Sequence, residues 1–225
     1  MGCPLKQGGG LYVRLSIGAV ILAAGEASRL GGRPKPLLAL GGVPLIRRLL
    51  VALSAAGVDA VVVVTGGPHG GAIEAAVADF PLQLLRNPSP GDGQVSSVRL
   101  GLAALPAHCD AMLMCLADQP LINGDDLVAL IRAYKQRGEA RAVVPRVDGA
   151  RGNPVLLDFA LRDQVLAGGE RFGCRQWIDA HPEAVSYFDS GNRHYLEDVD
   201  TPDDLSAFEQ RYGHALAWPP QSETT

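Results

Sequence analysis

The stretch Ala19-Val20-Ile21-Leu22-Ala23-Ala24-Gly25-Glu26-Ala27-Ser28-Arg29-Leu30-Gly31-Gly32-Arg33-Pro34-Lys35 decides how this chain is read. An apolar run with β-branched Val20 and Ile21 stops at residues with almost no side chain, then gives way to a glycine-rich, cationic loop. A buried parallel strand that ends in a phosphate-binding turn has this pattern. At Ala23, Ala24 and Gly25 a flat base or a polyphosphate can lie directly on the backbone. Arg29 and Lys35 supply positive charge where a polyphosphate needs it. The stretch holds no G-x-G-x-x-G dinucleotide fingerprint, and no Gly-Lys-Ser/Thr follows its glycines as in a Walker A loop. A strand-end turn with solvated arginines would look similar on these residues alone, so the rest of the chain has to decide.

Outward from this loop, strands and helices alternate in the manner that builds a parallel sheet covered on both faces. Val43 to Ala56 carries apolar residues at helical spacing and ends at Gly57. Asp59 to Thr65 reads as a buried strand broken by Gly66-Gly67-Pro68. The spacing then predicts a helix over Ala72 to Phe80, a short strand over Leu82 to Arg86 and a helix over Gln94 to Leu105. A core strand over Asp110 to Leu116 runs into Ala117-Asp118-Gln119-Pro120. Asn123 or Gly124 caps a helix that runs to about Arg137. Beyond Arg141 come strands at Ala142 to Arg146 and around Asn153 to Leu157, then helices at Phe159 to Leu166 and Arg171 to Ala180. Short strands at Ala184 to Phe188 and Tyr195 to Val199 follow. Thr201 caps a last helix with Pro202 at its first position, and Asp203 and Asp204 complement its dipole. In such sheets ligands bind at the carboxyl ends of the strands.

The 225 residues suit one domain that needs no disulfide or metal staple. Residues 1–16 read as a loose extension, 17–213 as the domain and 214–225 as a tail. A net charge of −4 argues against a nucleic-acid partner. Lys6, Lys35 and Lys135 are the only lysines, which draws attention to Lys35. Cys3, Cys109, Cys115 and Cys174 are scattered, with no C-x-x-C, so neither a zinc site nor a disulfide framework is suggested. No apolar segment is long enough to cross a bilayer, and the first sixteen residues lack a signal-peptide core. The expectation is a cytoplasmic protein with no membrane partner.

Two acidic turns stand out. Asp118 follows a core strand at a Pro-bounded turn, although Asp also favours turns for its own sake. Asp198 and Asp200 form a second acidic pair far away in sequence. Helix charge complementarity explains Asp203 and Asp204 but not Asp198, which lies four residues before Pro202.

The pattern L-A-A-G-x-x-S-R-L-G-x-x-x-K, from Leu22 to Lys35, resembles the N-terminal signature of nucleotidyltransferases that make molybdopterin dinucleotides. More distantly it resembles sugar-phosphate and methylerythritol-phosphate nucleotidyltransferases. Asp118-Gln119-Pro120 and the D-V-D-T-P-D-D-L run from Asp198 to Leu205 are similar to the two metal motifs of the molybdopterin family, in its order and spacing. The resemblance runs from about Ala19 to Phe208. Arg151-Gly152-Asn153-Pro154-Val155-Leu156 and the segment Gly169 to Arg175 resemble acceptor-side segments of its cytidylyltransferase branch, with Asn153 where a histidine often stands.

The resemblance implies a Rossmann-like three-layer α/β/α nucleotidyltransferase fold with a mostly parallel central sheet. It implies that Arg29, Lys35 and Asp118 are catalytic, and that Asp118 with Asp198 or Asp200 binds Mg²⁺, whose phosphate-clamping role needs two converging carboxylates. Leu22, Ala23, Ala24, Gly25, Lys35, Thr65, Gly66, Gly93, Ser96 and Ser97 would contact the nucleotide. Gln119, Pro120, Gly152, Asn153, Pro154 and Arg175 would contact the acceptor. Base-discriminating residues of the family fall at Thr65-Gly66-Gly67. The implied reaction joins CMP from CTP to molybdenum-bound molybdopterin and releases pyrophosphate. The rivals are GTP as donor, another phosphorylated acceptor, and a carrier that hands the cofactor to a molybdenum hydroxylase without catalysis. A nicotinamide-dependent oxidoreductase is disfavoured by the missing dinucleotide fingerprint.

Overall fold

The computed structural model describes residues 14–25 and 30–219. In chain order its elements are β1 (Ile17–Ala23), β2 (Ala39–Leu40), β3 (Val43–Pro44), α1 (Leu45–Ala55), β4 (Ala60–Gly66), α2 (Gly70–Ala76) and β5 (Gln83–Asn87). There follow α3 (Gln94–Ala104), β6 (Ala111–Leu116), α4 (Gly124–Lys135), β7 (Ala142–Val147), β8 (Ala150–Arg151) and β9 (Val155–Asp158). The chain continues through α5 (Leu161–Ala167), α6 (Cys174–Ala180), β10 (Val185–Asp189), α7 (Pro202–Tyr212) and β11 (Leu216–Ala217).

The main sheet runs in the order β10-β7-β9-β6-β1-β4-β5, with β8 paired to β7. β1 pairs in parallel with both β4 and β6, and only β9 and the two-residue β8 run against the rest. The central strands are apolar on both faces because both faces are covered. Ala19, Ile21 and Val63 pack with α1, α2 and α4 on one side. Val20, Val62 and Val64 pack with α3, α5 and α6 on the other. The mixed α/β architecture with its mostly parallel sheet is the one expected from the alternation. In register, Leu22 lies opposite Val64 on one side and Leu116 on the other. The strand ends that carry Ala24, Gly66 and Asp118 therefore emerge level at one sheet edge.

Local chemistry explains the element ends. Asn123 accepts hydrogen bonds from the amides of Asp125 and Asp126, and Asp126 answers from the third helical position, a capping box at the start of α4. Thr201 and Asp204 make the same box on α7, so Asp204 serves as a cap as well as a dipole partner. Four sequence expectations are corrected. Helix α1 begins at Leu45 because Val43 and Pro44 are drawn into pairing with β2. Helix α6 begins only at Cys174, after an N-cap at Gly173. The strand expected over Tyr195 to Val199 is replaced by a 3-10 turn over Arg193–Tyr195, whose Tyr195 carbonyl is engaged laterally by the Asn153 amide. The tail expected from residue 214 departs from that reading at β11, which pairs antiparallel with β2 and buries Leu216.

At the other end, residues 14–16 are tied down: Arg14 pairs with Asp59 at 2.6 Å and the Ser16 amide donates to Asp110 at 2.8 Å. Among the described residues no helix is long and apolar enough to cross a membrane.

Candidate active site

The level ends of β1 and β6 floor a cavity of about 340 Å³. Leu22, Ala23, Ala24 and Gly25 form one wall, and Leu116, Ala117 and Asp118 the next. Pro90, Gly93, Gln94 and Ser97 also line it, as do Lys35, Pro36 and Asp200. The alanines leave the floor flat, as the absence of side-chain bulk requires.

Lys35 lies at the start of a 3-10 turn between Pro34 and Pro36, whose rings fix the backbone direction. Its ammonium donates to Asp118 Oδ2 at 3.2 Å and to Asp200 Oδ1. Burial pulls the ammonium pKa down, but the hydrogen bonds and charges of Asp200 and Asp118 outweigh it and hold Lys35 above its usual 10.5. Burial raises the Asp118 carboxyl above its ordinary 3.8 in spite of Lys35. Asp198 is more exposed and does not line the cavity; partial burial and the charges of Asp118 and Asp200 raise it as well. Among the described residues Lys35 pairs with Asp118 and Asp200 and acts on Asp198 through its charge, so carboxyls outnumber the ammonium and favour a further cation.

The residues fit a hard divalent ion. Asp118 Oδ1 is buried without a hydrogen-bond partner among the described residues. Such an orphaned oxygen is costly unless a ligand completes it. Among the described residues no set of three or more His, Cys, Asp or Glu side chains is arranged to hold an ion. A carboxylate pair that relies on substrate phosphates for its remaining ligands is the usual arrangement for Mg²⁺.

The loop that lines the cavity from Pro90 to Gln94 is organised by Asn87, which the sequence analysis did not single out. Its buried side chain donates to Ser96 Oγ and Ser97 Oγ at 2.8 and 2.9 Å and accepts from the Ser89 amide at 2.9 Å. An Asn at the end of a strand, followed by Pro-Ser-Pro, was its only sequence signal. Gly93 has φ +89°, which turns the chain into α3 with no side-chain cap. The first amides of α3 are thereby left for an anion.

Several expected contacts need correction. Thr65 is fully buried, and its hydroxyl donates to Glu74 at 2.7 Å and to the Leu85 carbonyl, so its side chain is turned away from the cavity. Gly66 acts from behind: a Cβ there would meet Ala24 Cβ at 3.1 Å and Pro90 Cβ at 3.3 Å, so its smallness lets the two walls close. Ser96 does not line the cavity and is spent on Asn87 and the Gly93 carbonyl. Gln119 and Pro120 are buried, and Gln119 donates to the Asn153 and Tyr195 carbonyls, each at 3.2 Å. Through its amide nitrogen it binds three chain segments together. Gly152 and Pro154 are buried too; a Cβ on Gly152 would stand 2.5 Å from the Tyr195 carbonyl oxygen. Asn153 is half-buried and Arg175 is exposed on α6. The loop before α6 does approach the cavity, because Gly173 lies against Val95, next to the lining residue Gln94. Arg29 lies outside the described residues.

The sequence profile of the MobA-like NTP transferase domain matches residues 19–185. The chain belongs to this family. It is 39% identical over 132 residues to 2-C-methyl-D-erythritol 4-phosphate cytidylyltransferase of Streptomyces avermitilis, covering 56% of this chain and 52% of that protein. The alignment therefore spans about half the length of that relative. It is 30% identical over 193 residues to nicotine blue oxidoreductase of Paenarthrobacter nicotinovorans, covering 83% of this chain and 93% of that one. Among solved structures it resembles Rv0371c of Mycobacterium tuberculosis, with a TM-score of 0.72 and 24% identity over 87% of this chain and 98% of the other. At that identity the likeness carries the fold.

Proposed function

We propose that the protein is a Mg²⁺-dependent cytidylyltransferase that joins CMP from CTP to molybdenum-bound molybdopterin, giving molybdopterin cytosine dinucleotide and pyrophosphate. The observation that carries the reading is Lys35 held between Asp118 and Asp200 at the edge of a cavity floored by Ala23, Ala24 and Gly25. The family membership and the similarity to a cytidylyltransferase support nucleotidyl transfer from CTP. Choice of the molybdopterin acceptor is supported by the Arg151 to Leu156 and Gly169 to Arg175 segments.

In this reaction a phosphate oxygen of the acceptor bonds to the α-phosphorus while the bond to the bridging oxygen of pyrophosphate breaks. The acceptor is already anionic near neutral pH, so no general base is needed. Lys35 follows the charge that builds on the leaving phosphates, with Arg29 as its proposed companion. The flat alanine floor holds base and sugar in line, and the amides opening α3 fix the polyphosphate from the other side. Asp118 and Asp200, with Asp198 nearby, would hold Mg²⁺, which would neutralise charge on the phosphate oxygens.

The test is pyrophosphate release with CTP, GTP, ATP and UTP in turn, against molybdenum cofactor and against methylerythritol 4-phosphate, with and without EDTA. Release with CTP and molybdenum cofactor, abolished by EDTA and restored by Mg²⁺, is expected. Release with GTP alone would move the base assignment, and release only with methylerythritol phosphate would move the acceptor. Pterin binding without release from any nucleotide would make the protein a carrier.

A further inference from the structure

The third apolar cluster of the fold includes residues close to Lys35 and Asp200 in sequence, and Leu216 and Trp218 pack into it. Leu38 and Val199 are almost wholly buried there together with Phe208 and Leu216. Leu38 comes three residues after Lys35, and its amide donates to the Lys35 carbonyl at 2.9 Å. Val199 stands between Asp198 and Asp200. One small core therefore carries the hinge of the lysine turn and the hinge of the second acidic motif.

What covers this core is residues 214–218. Helix α7 starts two residues after Asp200 and ends at Tyr212, with Gly213 as its C-cap at a φ of +68°. The returning segment pairs with β2, placing Leu216 opposite Leu40 and Ala217 opposite Ala39. One residue further, Trp218 packs against the same cluster, and the Arg33 guanidinium lies over its ring at 5.0 Å from the centroid. The lysine turn is thus gripped on both sides of Lys35: at Arg33, two residues before it, and at Ala39 and Leu40, four and five residues after it.

We propose that residues 214–218 form a positioning strap that holds Lys35 against Asp118 and Asp200, with Leu216 and Trp218 as its positioning residues. The catalytic consequence rests on the function proposed above; the mechanical one does not. Pro34 and Pro36 set the local backbone direction of the lysine turn, and the strap fixes where that turn sits through β-pairing, apolar burial and a cation–π contact. A strap of this kind acts on the rate of the chemical step, since a displaced lysine would stabilise the leaving phosphates poorly.

The scarcity of lysines provides the measurement. Full-length protein is acylated under limiting reagent, and the rate at Lys35 is read by mass spectrometry against exposed Lys135 in the same molecule. In Trp218→Ala and Leu216→Asp, Lys35 is expected to react about fivefold faster or more relative to Lys135, as local opening frees its ammonium. Trp218→Phe is expected to keep the native rate. The catalytic readout is a fall in kcat of about 10- to 100-fold in Trp218→Ala, with the acceptor KM within about twofold and recovery in Trp218→Phe. Trp218→Ala decides the matter if Leu216→Asp does not fold. Unchanged Lys35 reactivity in Trp218→Ala overturns the strap. Faster Lys35 labelling, in a protein whose wild type releases no pyrophosphate from any nucleotide, sustains the strap and removes the proposed reaction instead.

Discussion

Lys35 Nζ stands 3.2 Å from Asp118 Oδ2, although the two residues are 83 positions apart. The contact exists because β1 and β6 are hydrogen-bonded neighbours that end level, and the turn that carries Lys35 lies at the end of β6. Among the described residues Lys35 is the cation that offsets the charge of Asp118, and Asp118 Oδ1 is buried without a hydrogen-bond partner. That relationship sets the first two predictions.

Asp118→Asn is expected to lower pyrophosphate release by about 10²- to 10³-fold, the usual scale for removal of one electrostatic group from a preorganised site. The chain is expected to stay folded, because the amide occupies the same volume and the lost charge was poorly solvated. Steady-state rates and thermal unfolding check both parts. Full activity in this variant would sink the assignment of Asp118 to the metal and phosphate chemistry.

The raised carboxyls also make a prediction about pH. A carboxyl whose native pKa lies above its unfolded value binds its proton more tightly in the native chain. Its contribution to stability therefore falls as pH rises from the ordinary value of 3.8 through the native one. Asp118 behaves in this way because burial disfavours its charge. Urea unfolding across mildly acidic pH is expected to show Asp118→Asn gaining on the wild type as pH rises, then a constant difference above that window. A difference that shrinks with pH would mean that Asp118 is stabilised, not penalised, as an anion.

Gly101 on α3 offers a test of the packing that positions the nucleotide side. A Cβ there would lie 2.3 Å from Val20 Cγ1 and 3.1 Å from Val64 Cγ2. Neither valine, in the central strands, has room to retreat. Gly101→Ala is expected to cost about 1–3 kcal/mol in denaturant unfolding, in line with other overpacked cores. It should also raise the nucleotide KM by pushing α3 away from the sheet. An unchanged unfolding midpoint would show that the helix relaxes freely.

Gln119 was read from the sequence as a contact to the acceptor, and the structure makes it a tether. Gln119→Leu removes the side-chain donor of the Asn153 carbonyl and one of the two donors to the Tyr195 carbonyl, which keeps the Asn153 amide, a loss of about 1–3 kcal/mol. Because Tyr195 leads directly into Asp198 and Asp200, kcat is expected to fall together with stability. Loss of stability with an unaltered rate would separate the tether from the acidic motif.

The sequence by itself determined the layered α/β architecture. Runs such as Val61 to Val64, apolar on both faces, can only be strands covered on both sides, and the alternation with amphipathic helices leaves few other arrangements. It also marked the small-residue floor, Lys35 and the two acidic turns, through their combined resemblance to the motifs of a nucleotidyltransferase family, since each alone looks like an ordinary turn. What only the tertiary structure decided is how these residues divide the work. Asp200 faces the cavity and Asp198 does not, because Val199 between them is anchored in a core. Thr65 and Gln119 turn inward to satisfy buried partners, and no local pattern announces a partner 76 residues away such as the Tyr195 carbonyl. Asn87 and the segment around Leu216 carry no motif at all. Their roles arise from which backbone groups and apolar surfaces the completed fold leaves beside them, and those neighbours exist only once the sheet has formed.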